Sequence, residues 1–417
     1  TLGIHMAQHR AGDRRILSIS IPEELAIKLD GHTGKGREEG RSATITRLLN
    51  LGIEANSKQP STEKSKPIKK LKSNSEVRIE KDTMGDIKVP SDRYFGAQTA
   101  RSLVNFDIGE DKMPRAVIRA FGILKQSAAK VNMKLNQLEP KVAKLIIEAA
   151  EEVILGDLDD HFPLRIWQTG SGTQTNMNTN EVIANRAIEI SGGELGSKSP
   201  VHPNDHVNRG QSSNDTFPTA MHISATEEIK HKLLPELNNL REELHKRAAE
   251  FNSIVKIGRT HLMDAMPIDF AQELSGWSAQ LKSCKTAIVS ANKRMMELPQ
   301  GGTAIGTGVN SHKNFSKNFC EALDKVSGLK VKPASNLFQG LSSQDNAAEL
   351  SSTLKNLSLV LMKICNDLRW MNSGPLTGLS DIELEALQPG SSTVSYTHLR
   401  AHETKANIVC RLLREKK

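Results

Sequence analysis

Seven long stretches with apolar residues at three- and four-residue spacing constrain the fold of this chain more than any other feature. Such spacing places the apolar side chains on one face of an α-helix. Several stretches exceed about 25 residues, which favours a long helical bundle over a globular α/β arrangement. We therefore predict a mainly α protein. The predicted helices cover 114–136, 140–155, 173–191, 212–251, 269–298, 311–327 and 341–372.

The front of the chain differs in composition from the rest. We interpret residues 1–14 as a disordered or non-native leader, 15–57 as a small folded module, and 58–75 as a Lys-, Ser- and Pro-rich linker. The first 75 residues carry 14 Lys and Arg against 8 Asp and Glu, so most of the formal charge of +8 lies there. This excess favours a polyanionic partner such as nucleic acid, with a solvated tail as the alternative.

The module 15–57 combines one short strand with two helices. Leu17, Ile19 and Ile21 alternate with serines, which indicates the strand, and Ser42 is suited to cap the second helix. This order resembles a ribbon-helix-helix DNA-binding domain, in which the strands of two chains pair and enter the DNA major groove. The resemblance implies DNA as a partner through 15–57. A dimerisation or folding module without DNA is the alternative.

The four cysteines, at 284, 320, 365 and 410, show no spacing typical of a disulfide framework or a metal site. This pattern favours a reducing, cytoplasmic location. No apolar run reaches the ~20 residues of a membrane-spanning helix, and no signal peptide is recognisable. We therefore expect no membrane partner and no metal.

Two segments rich in small polar residues stand directly before predicted helices. They are 170–173 (Gly-Ser-Gly-Thr) and 211–215 (Gln-Ser-Ser-Asn-Asp). Such residues at a helix N-terminus expose backbone N–H groups at the positive end of the helix dipole, which suits a carboxylate or phosphate. One such segment is an ordinary helix cap, whereas two together indicate a cradle for a dicarboxylate.

Two further segments are rich in polar residues or in glycine. His261 lies in 258–262 (Gly-Arg-Thr-His-Leu). A lone histidine is most often structural, but beside Arg259 and Thr260 it could bind or activate a water. The glycine-rich segment 299–308 lacks the lysine of a phosphate loop, and we interpret it as a flexible turn at one end of the bundle.

Four further motifs can be recognised. They are Arg-Ile-Glu-Lys-Asp-Thr-Met-Gly (78–85), Tyr-Phe-Gly-Ala-Gln-Thr (94–99), Ile-Trp-Gln-Thr-Gly-Ser-Gly-Thr-Gln (166–174) and Val-His-Pro-Asn-Asp (201–205). Together with the polar segments above, they make residues 78–392 resemble class II fumarases of the aspartase/fumarase superfamily. An aspartase-type ammonia-lyase is the alternative within the superfamily, but aspartases carry Gln where this chain has His261, which favours the fumarases.

The resemblance implies a long helical bundle with smaller flanking domains, a homotetramer, and active sites that each take segments from three subunits. It implies reversible hydration of fumarate to L-malate without a cofactor. His261 matches the histidine that exchanges a proton through a bound water, and Ser391 matches the base that removes the C3 proton. The matching substrate-binding positions are Ser171, Gly172, Thr173, Ser212, Ser213, Asn214, Thr260 and Ser392. A second dicarboxylate site matches His202, Asn204 and Asp205.

The chain departs from the family after Ser392. The family continues as Met-Pro-x-Lys-x-Asn-Pro, whereas Val394, Ser395, Thr397 and Leu399 stand at the Met, Pro, Lys and Asn positions. Without the lysine that anchors a substrate carboxylate, we expect low activity. The tail also does not resemble the last bundle helix of the family, and without that helix we expect poor assembly, because apolar seams on 212–251 and 341–372 would be exposed. Ser199 also stands where the second site usually has Arg. We divide the remaining chain into an N-terminal lyase domain (76–210), an incomplete central bundle (211–392) and a non-family tail (393–417).

The leading hypothesis is a fumarate hydratase core joined to a ribbon-helix-helix-like module. The rival hypothesis is a DNA-binding regulator whose lyase-like part is inactive or senses a dicarboxylate. Salt-dependent retention of DNA by residues 1–75 would favour the rival.

Overall fold

The computed structural model describes residues 76–384. The predicted leader, ribbon-helix-helix-like module and linker lie outside the described residues, as do Ser391, Ser392 and the non-family tail. DNA binding through 15–57 therefore stays a prediction.

The described residues alternate short hairpins with long helices. Two π-helical segments interrupt this order, at Pro203–Val207 and Ile229–Leu233. The elements are, in chain order, β1 (Val77–Asp82), β2 (Gly85–Pro90), α1 (Ala97–Asn105), α2 (Arg115–Lys134), α3 (Pro140–Leu155), α4 (Thr173–Ile190), α5 (Ser213–Glu228), α6 (Leu234–Glu250), β3 (Val255–Thr260), β4 (Met263–Asp269), α7 (Phe270–Met295), β5 (Glu297–Leu298), α8 (Phe315–Ser327), β6 (Lys332–Pro333), α9 (Leu337–Ser342) and α10 (Asp345–Met371).

The strands form three separate two-stranded sheets. β1 and β2 pair antiparallel around a turn in which Asp82 faces Gly85, and β3 and β4 form a second antiparallel hairpin. β5 and β6 are two residues each and pair in parallel. The sheets are therefore small additions to a helical protein.

Helices α2, α3, α5 and α8 share one hydrophobic core. Phe121 of α2 and Phe315 and Phe319 of α8 are fully buried in it. Local signals set the ends of α3, because Pro140 stands in its first turn and Gly156 ends it with a φ of 98°. This core fixes the position of the N-terminus of α5.

A second core lies along the long helices α6, α7 and α10. Leu237, Leu240 and Leu244 recur at three- and four-residue spacing and pack with the buried Trp277 of α7. α5, the π segment and α6 follow one another without a loop, and the π segment ends just before Pro235. Proline has no N–H to donate, so the regular hydrogen-bond ladder is interrupted here.

Buried charges hold α4 against its neighbours. Arg186 is fully buried and donates to both carboxylate oxygens of Glu152, at 2.6 and 2.7 Å. The buried Glu181 carboxylate accepts the backbone N–H groups of Gly96 and Gln98 at the start of α1, each at 2.8 Å. Because these bonds connect α4 with α3 and with the start of α1, they fix the position of α4 in the bundle.

The predicted fold class is confirmed for residues 76–384, which are mainly α and contain the long bundle. The division at residue 210 stays a prediction. Neither antiparallel hairpin was predicted as strands. None of the helices in this range is both long and apolar enough to cross a membrane.

Candidate active site

The N-terminus of α4 presents a row of hydroxyl groups. Ser171 Oγ lies 2.9 Å from Thr169 Oγ1 and 3.0 Å from Thr173 Oγ1. Thr169 and Ser171 belong to the exposed turn before the helix, and the half-buried Thr173 is its first residue. The N-cap is Gly172, so no side chain caps the first N–H groups of α4. Hydroxyls and backbone amides at the positive end of a helix suit a carboxylate.

Gly172 has a steric role at this turn. Its φ is 74°, in the left-handed region. A Cβ atom there would lie 2.0 Å from Cγ of Phe217, on the first turns of α5. Only glycine therefore allows α4 to begin this close to α5. This contact does not test the substrate-binding role of Gly172, which stays a prediction.

The N-terminus of α5 is closed by a capping box. Ser212 Oγ accepts the N–H of Asn214 at 3.2 Å, and Asp215 Oδ1 accepts the N–H of Ser212 at 2.9 Å. The capping task uses the Ser212 oxygen, whereas Asn214 remains exposed and donates through Nδ2 to the carbonyl of Ala304 at 2.7 Å. Ser213 stands between them as the first residue of the helix.

The glycine-rich segment 299–308 is anchored, which differs from its interpretation as a flexible turn. Asp215 is fully buried and its Oδ2 accepts the N–H groups of Gly301 and Thr303, each at 2.9 Å. Burial raises the pKa of Asp215 to about 6 although these bonds oppose the shift. The sequence predicts the helix cap at 211–215, but not the contact of Asp215 with Gly301 and Thr303. We call the segments 170–174, 211–214 and 300–304 the cradle.

A buried polar network joins α4 to α5 beneath the cradle. Asn176 Nδ2 donates to Ser213 Oγ at 3.0 Å and to Asn208 Oδ1 at 3.3 Å. Lys125 Nζ, on α2, donates to Asn208 Oδ1 and to Gln211 Oε1, each at 3.0 Å. Gln211 belongs to the segment 211–215 that was predicted to form a cradle, whereas Asn176, Asn208 and Lys125 were not predicted as site residues.

Lys125 is fully buried, which is unusual for a lysine. Burial lowers its pKa from the ordinary 10.5 to about 7, and the charge of Asp215 opposes this shift. The burial of Lys125 was not predictable from its own helix, because a lysine in an amphipathic helix ordinarily faces solvent.

Thr260 and His261 occupy the tip of the β3–β4 hairpin. The two turn residues are His261 and Leu262, with φ values of 51° and 63°. The base of the hairpin is held by Lys256, whose Nζ lies 2.7 Å from Glu273 Oε2 and 3.0 Å from Asp381 Oδ2. Arg259, which is one residue pair from the tip, donates to both oxygens of Asp381 at 2.6 and 3.2 Å. The tip itself is exposed. His261 is therefore open to solvent, although Arg259, two residues before it, is tied to Asp381.

The cradle and the hairpin stand at opposite ends of one helical run. α5 begins at the cradle, α6 ends just before the hairpin, and the residues from 213 to 250 span roughly 57 Å at 1.5 Å per residue. α7 returns antiparallel, since Thr226 bonds to Asn292 and the carbonyl of Glu297 lies 3.1 Å from His222 Nδ1. One copy of the chain thus does not bring His261 to its own cradle.

The second predicted site, His202, Asn204 and Asp205, lies together at the π segment Pro203–Val207. His202 Nδ1 accepts the N–H groups of Asn204 and Asp205 at 3.3 and 3.2 Å. These amides are therefore already occupied by the imidazole. The exposed Asp205 carboxylate also places negative charge beside the proposed dicarboxylate position.

Two of the predicted site residues, Ser391 and Ser392, lie outside the described residues. Within residues 76–384, no group of three His, Cys, Asp or Glu side chains is arranged to hold a metal ion.

The profile of a lyase family matches residues 85–394, and the chain belongs to this family. Its curated relatives are fumarate hydratases. The mitochondrial fumarate hydratase of Rhizopus oryzae is 55% identical over 317 residues, which are 76% of this chain and 64% of that protein. The class II fumarate hydratase of Thermus thermophilus is 52% identical over 319 residues, which are 76% of this chain and 68% of that protein. The chain thus spans about two thirds of the length of these relatives.

Solved structures agree with the sequence comparison. The class II fumarase of Schistosoma mansoni superposes with a TM-score of 0.75 at 38% identity, covering 82% of this chain and 81% of that one. A fumarate lyase:delta crystallin structure from Brucella melitensis, bound to cobalt, gives 0.74 at 34% identity, covering 82% and 73%. The resemblance to class II fumarases that the motifs predict is confirmed.

Proposed function

We propose that this chain catalyses the reversible hydration of fumarate to L-malate. The observation that carries the proposal is the pairing of two helix N-termini, those of α4 and α5, in one cradle lined by hydroxyls and amides. The positive ends of both helix dipoles point to the same place, which suits a small dianion. The similarity to fumarate hydratases supports fumarate as that dianion.

The cradle residues fit the charge that the reaction develops. Removal of the C3 proton of malate places extra negative charge on the adjacent carboxylate. Fixed donors such as Ser171, Thr173, Ser213 and Asn214 stabilise that charge without reorganising. Hydrogen bonds to one another, to Asn176 of α4 and to the carbonyl of Ala304 hold these groups in place before substrate binds.

The proton-transfer groups come from other segments. We assign His261 to the exchange of a proton through a bound water, with Thr260 beside it. We assign Ser391 as the base and Ser392 as its substrate-binding neighbour, from their match to the family motif. A serine acts as a base only where backbone amides or an ammonium stabilise its anion.

A complete site needs more than one copy of the chain. The distance of roughly 57 Å along α5 and α6 separates His261 from its own cradle. Beside His261, Met263 and Met266 are 70% and 77% exposed. Contact with another copy would bury these side chains and bring His261 to that copy's cradle. We therefore propose a homo-oligomer, with the homotetramer of the family as its form.

The proposal includes low activity for the chain as it stands. Thr397 and Leu399 replace the lysine and asparagine of the family motif. A substrate carboxylate left without its cation in a water-poor site costs several kcal/mol, which corresponds to about 100-fold or more in rate.

Two smaller assignments follow. Cys284 and Cys320 are buried and form no disulfide, which supports a reducing, cytoplasmic compartment. The second dicarboxylate site at His202 is the weaker assignment, because the amides of Asn204 and Asp205 are occupied by the histidine.

The test uses a loop-restored variant with Val394→Met, Ser395→Pro, Thr397→Lys and Leu399→Asn. Fumarate loss is followed by ultraviolet absorbance and the product is identified by proton NMR. We expect L-malate from the variant at a rate about 100-fold above that of the unmodified chain. A variant that neither binds nor consumes fumarate would contradict the proposal. Formation of aspartate when ammonia is added would identify the chain as an ammonia-lyase instead.

A further inference from the structure

The buried network beneath the cradle has a fixed order of donors and acceptors that begins at Lys125. Below its pKa of about 7, Lys125 carries an ammonium group, which only donates hydrogen bonds. Asn208 must therefore turn its Oδ1 toward Lys125, and Gln211 must turn its Oε1. With the opposite amide orientation, NH₂ groups would face the lysine N–H groups in a buried site, which is unfavourable.

The orientation of Asn208 decides that of Asn176. Since Asn208 presents Oδ1, Asn176 presents its NH₂ group and uses one N–H for Asn208 and the other for Ser213 Oγ. Ser213 Oγ therefore accepts a hydrogen bond from within the protein. Its own hydroxyl hydrogen remains to donate on the side of the cradle.

We propose that Lys125 is a positioning residue that fixes this network so that the Ser213 hydroxyl donates to a bound carboxylate. This inference rests on the proposed function, because it concerns the dicarboxylate of the same cradle. Lys125 acts through Asn208 and Asn176 rather than by touching the ligand. Asn208 Oδ1 accepts from both Lys125 and Asn176, so Lys125 acts by fixing the orientation of the Asn208 amide.

The surroundings of Lys125 support this role. It is held by two side-chain oxygens from the turn that leads into α5, and Asp215 is the charged group that acts on it electrostatically. Burial of its cation is unfavourable for stability, as its pKa of about 7 shows. A leucine or methionine would fill the same place between helices without this penalty. A positioning role explains why a charged group is placed there.

A double-mutant cycle tests the inference in the loop-restored background. Succinate, an unreactive dicarboxylate, is titrated by calorimetry into the parent, Lys125→Met, Ser213→Ala and the double variant. Lys134→Met is the control, because Lys134 is an exposed residue on the same helix. We expect Lys125→Met and Ser213→Ala each to weaken binding about tenfold or more, and the double variant to be little weaker than either. The proposal would be overturned if the losses of affinity in the two single variants multiplied in the double variant. It would also be overturned if Lys125→Met bound succinate as tightly as the control.

Lys125→Arg and Lys125→Gln provide a second comparison that does not depend on the methionine variant folding. Arginine also only donates, whereas glutamine can present either a donor or an acceptor. We expect the arginine variant to bind succinate within about threefold of the parent and the glutamine variant to lose about tenfold. Equal losses in both variants would overturn the role of the donor-only group.

Hydrogen exchange separates failure of this inference from failure of the proposed function. If the loop-restored parent does not bind succinate, the proposed function is contradicted. In that case, the positioning role of Lys125 is tested by amide hydrogen exchange in residues 208–214 of the unliganded proteins. Faster exchange in Lys125→Met than in Lys134→Met would support the positioning role, and equal exchange would overturn it.

Discussion

Replacing Gly172 with alanine tests how tightly the two helix N-termini of the cradle depend on each other. Gly172 combines a φ of 74° with a would-be Cβ position 2.0 Å from the Phe217 ring. Gly170, two residues earlier, has a φ of 83° but no heavy atom within 4 Å of its would-be Cβ. The two glycines share the backbone conformation and differ in the contact, so they form a matched pair.

The magnitude follows from these two terms. A side chain in the left-handed region costs about 1–2 kcal/mol at either glycine. At Gly172 the added methyl group must also displace the Phe217 ring in a packed contact, which costs about 1–3 kcal/mol more. We therefore expect the free energy of unfolding to fall by about 1–2 kcal/mol in Gly170→Ala and by about 2–5 kcal/mol in Gly172→Ala.

Urea unfolding followed by circular dichroism of the helical signal measures both variants. Phe217→Ala in combination with Gly172→Ala supplies the control, because removing the ring should relieve the contact and make the double variant more stable than the sum of the single effects. Equal losses in Gly170→Ala and Gly172→Ala, or strict additivity with Phe217→Ala, would refute the steric account of this turn.

Three further predictions concern other parts of the molecule. In the loop-restored background, His261→Asn should lower the turnover of fumarate about 10²–10⁴-fold and leave the melting temperature unchanged, because the residue is at an exposed tip; near-normal turnover would contradict its role. The folded lysine at 125 loses its proton near pH 7 and the unfolded one near 10.5. The unfolded chain thus binds more protons between these values, and the free energy of unfolding of the parent relative to Lys125→Met should rise with pH in this window; a flat or falling difference in urea titrations would show that the lysine titrates normally. Asp381→Asn weakens the contacts of this carboxylate to Arg259 and Lys256 and should lower the free energy of unfolding by about 1–3 kcal/mol. The control Asp86→Asn, at an exposed position, should change it by no more than about 0.5 kcal/mol. Equal unfolding midpoints for the two variants would contradict a stabilising role of the Asp381 contacts.

The helices could be predicted from the sequence because their signals are local. The stretch 140–155 coincides with α3, and 173–191 differs from α4 by one residue at its C-terminus. Apolar spacing, Pro140 and Gly156 contain the necessary information within a few turns. The stretch 212–251 was predicted as one helix, and the structure inserts the π segment before Pro235.

The parts that the sequence did not reveal depend on residues far apart in the chain. Asp215 anchors Gly301 and Thr303, 86 and 88 residues away. Lys125 bonds to Asn208 across 83 residues, and nothing in its own helix distinguishes it from an exposed lysine. The individual cradle segments could therefore be predicted from helix-capping chemistry, whereas the groups that hold them together required the fold.

The central claim is that a fumarate-hydrating site forms between copies of this chain. Its most direct test mixes two loop-restored variants, His261→Asn and Ser213→Ala, which are denatured together and refolded at equal concentrations. Each variant alone should show little fumarate hydration. If the hairpin and the cradle of a site come from different copies, random mixing leaves about a quarter of the sites with both residues intact, and the mixture should regain about a quarter of the parent's activity. A mixture as inactive as its two components would contradict the account.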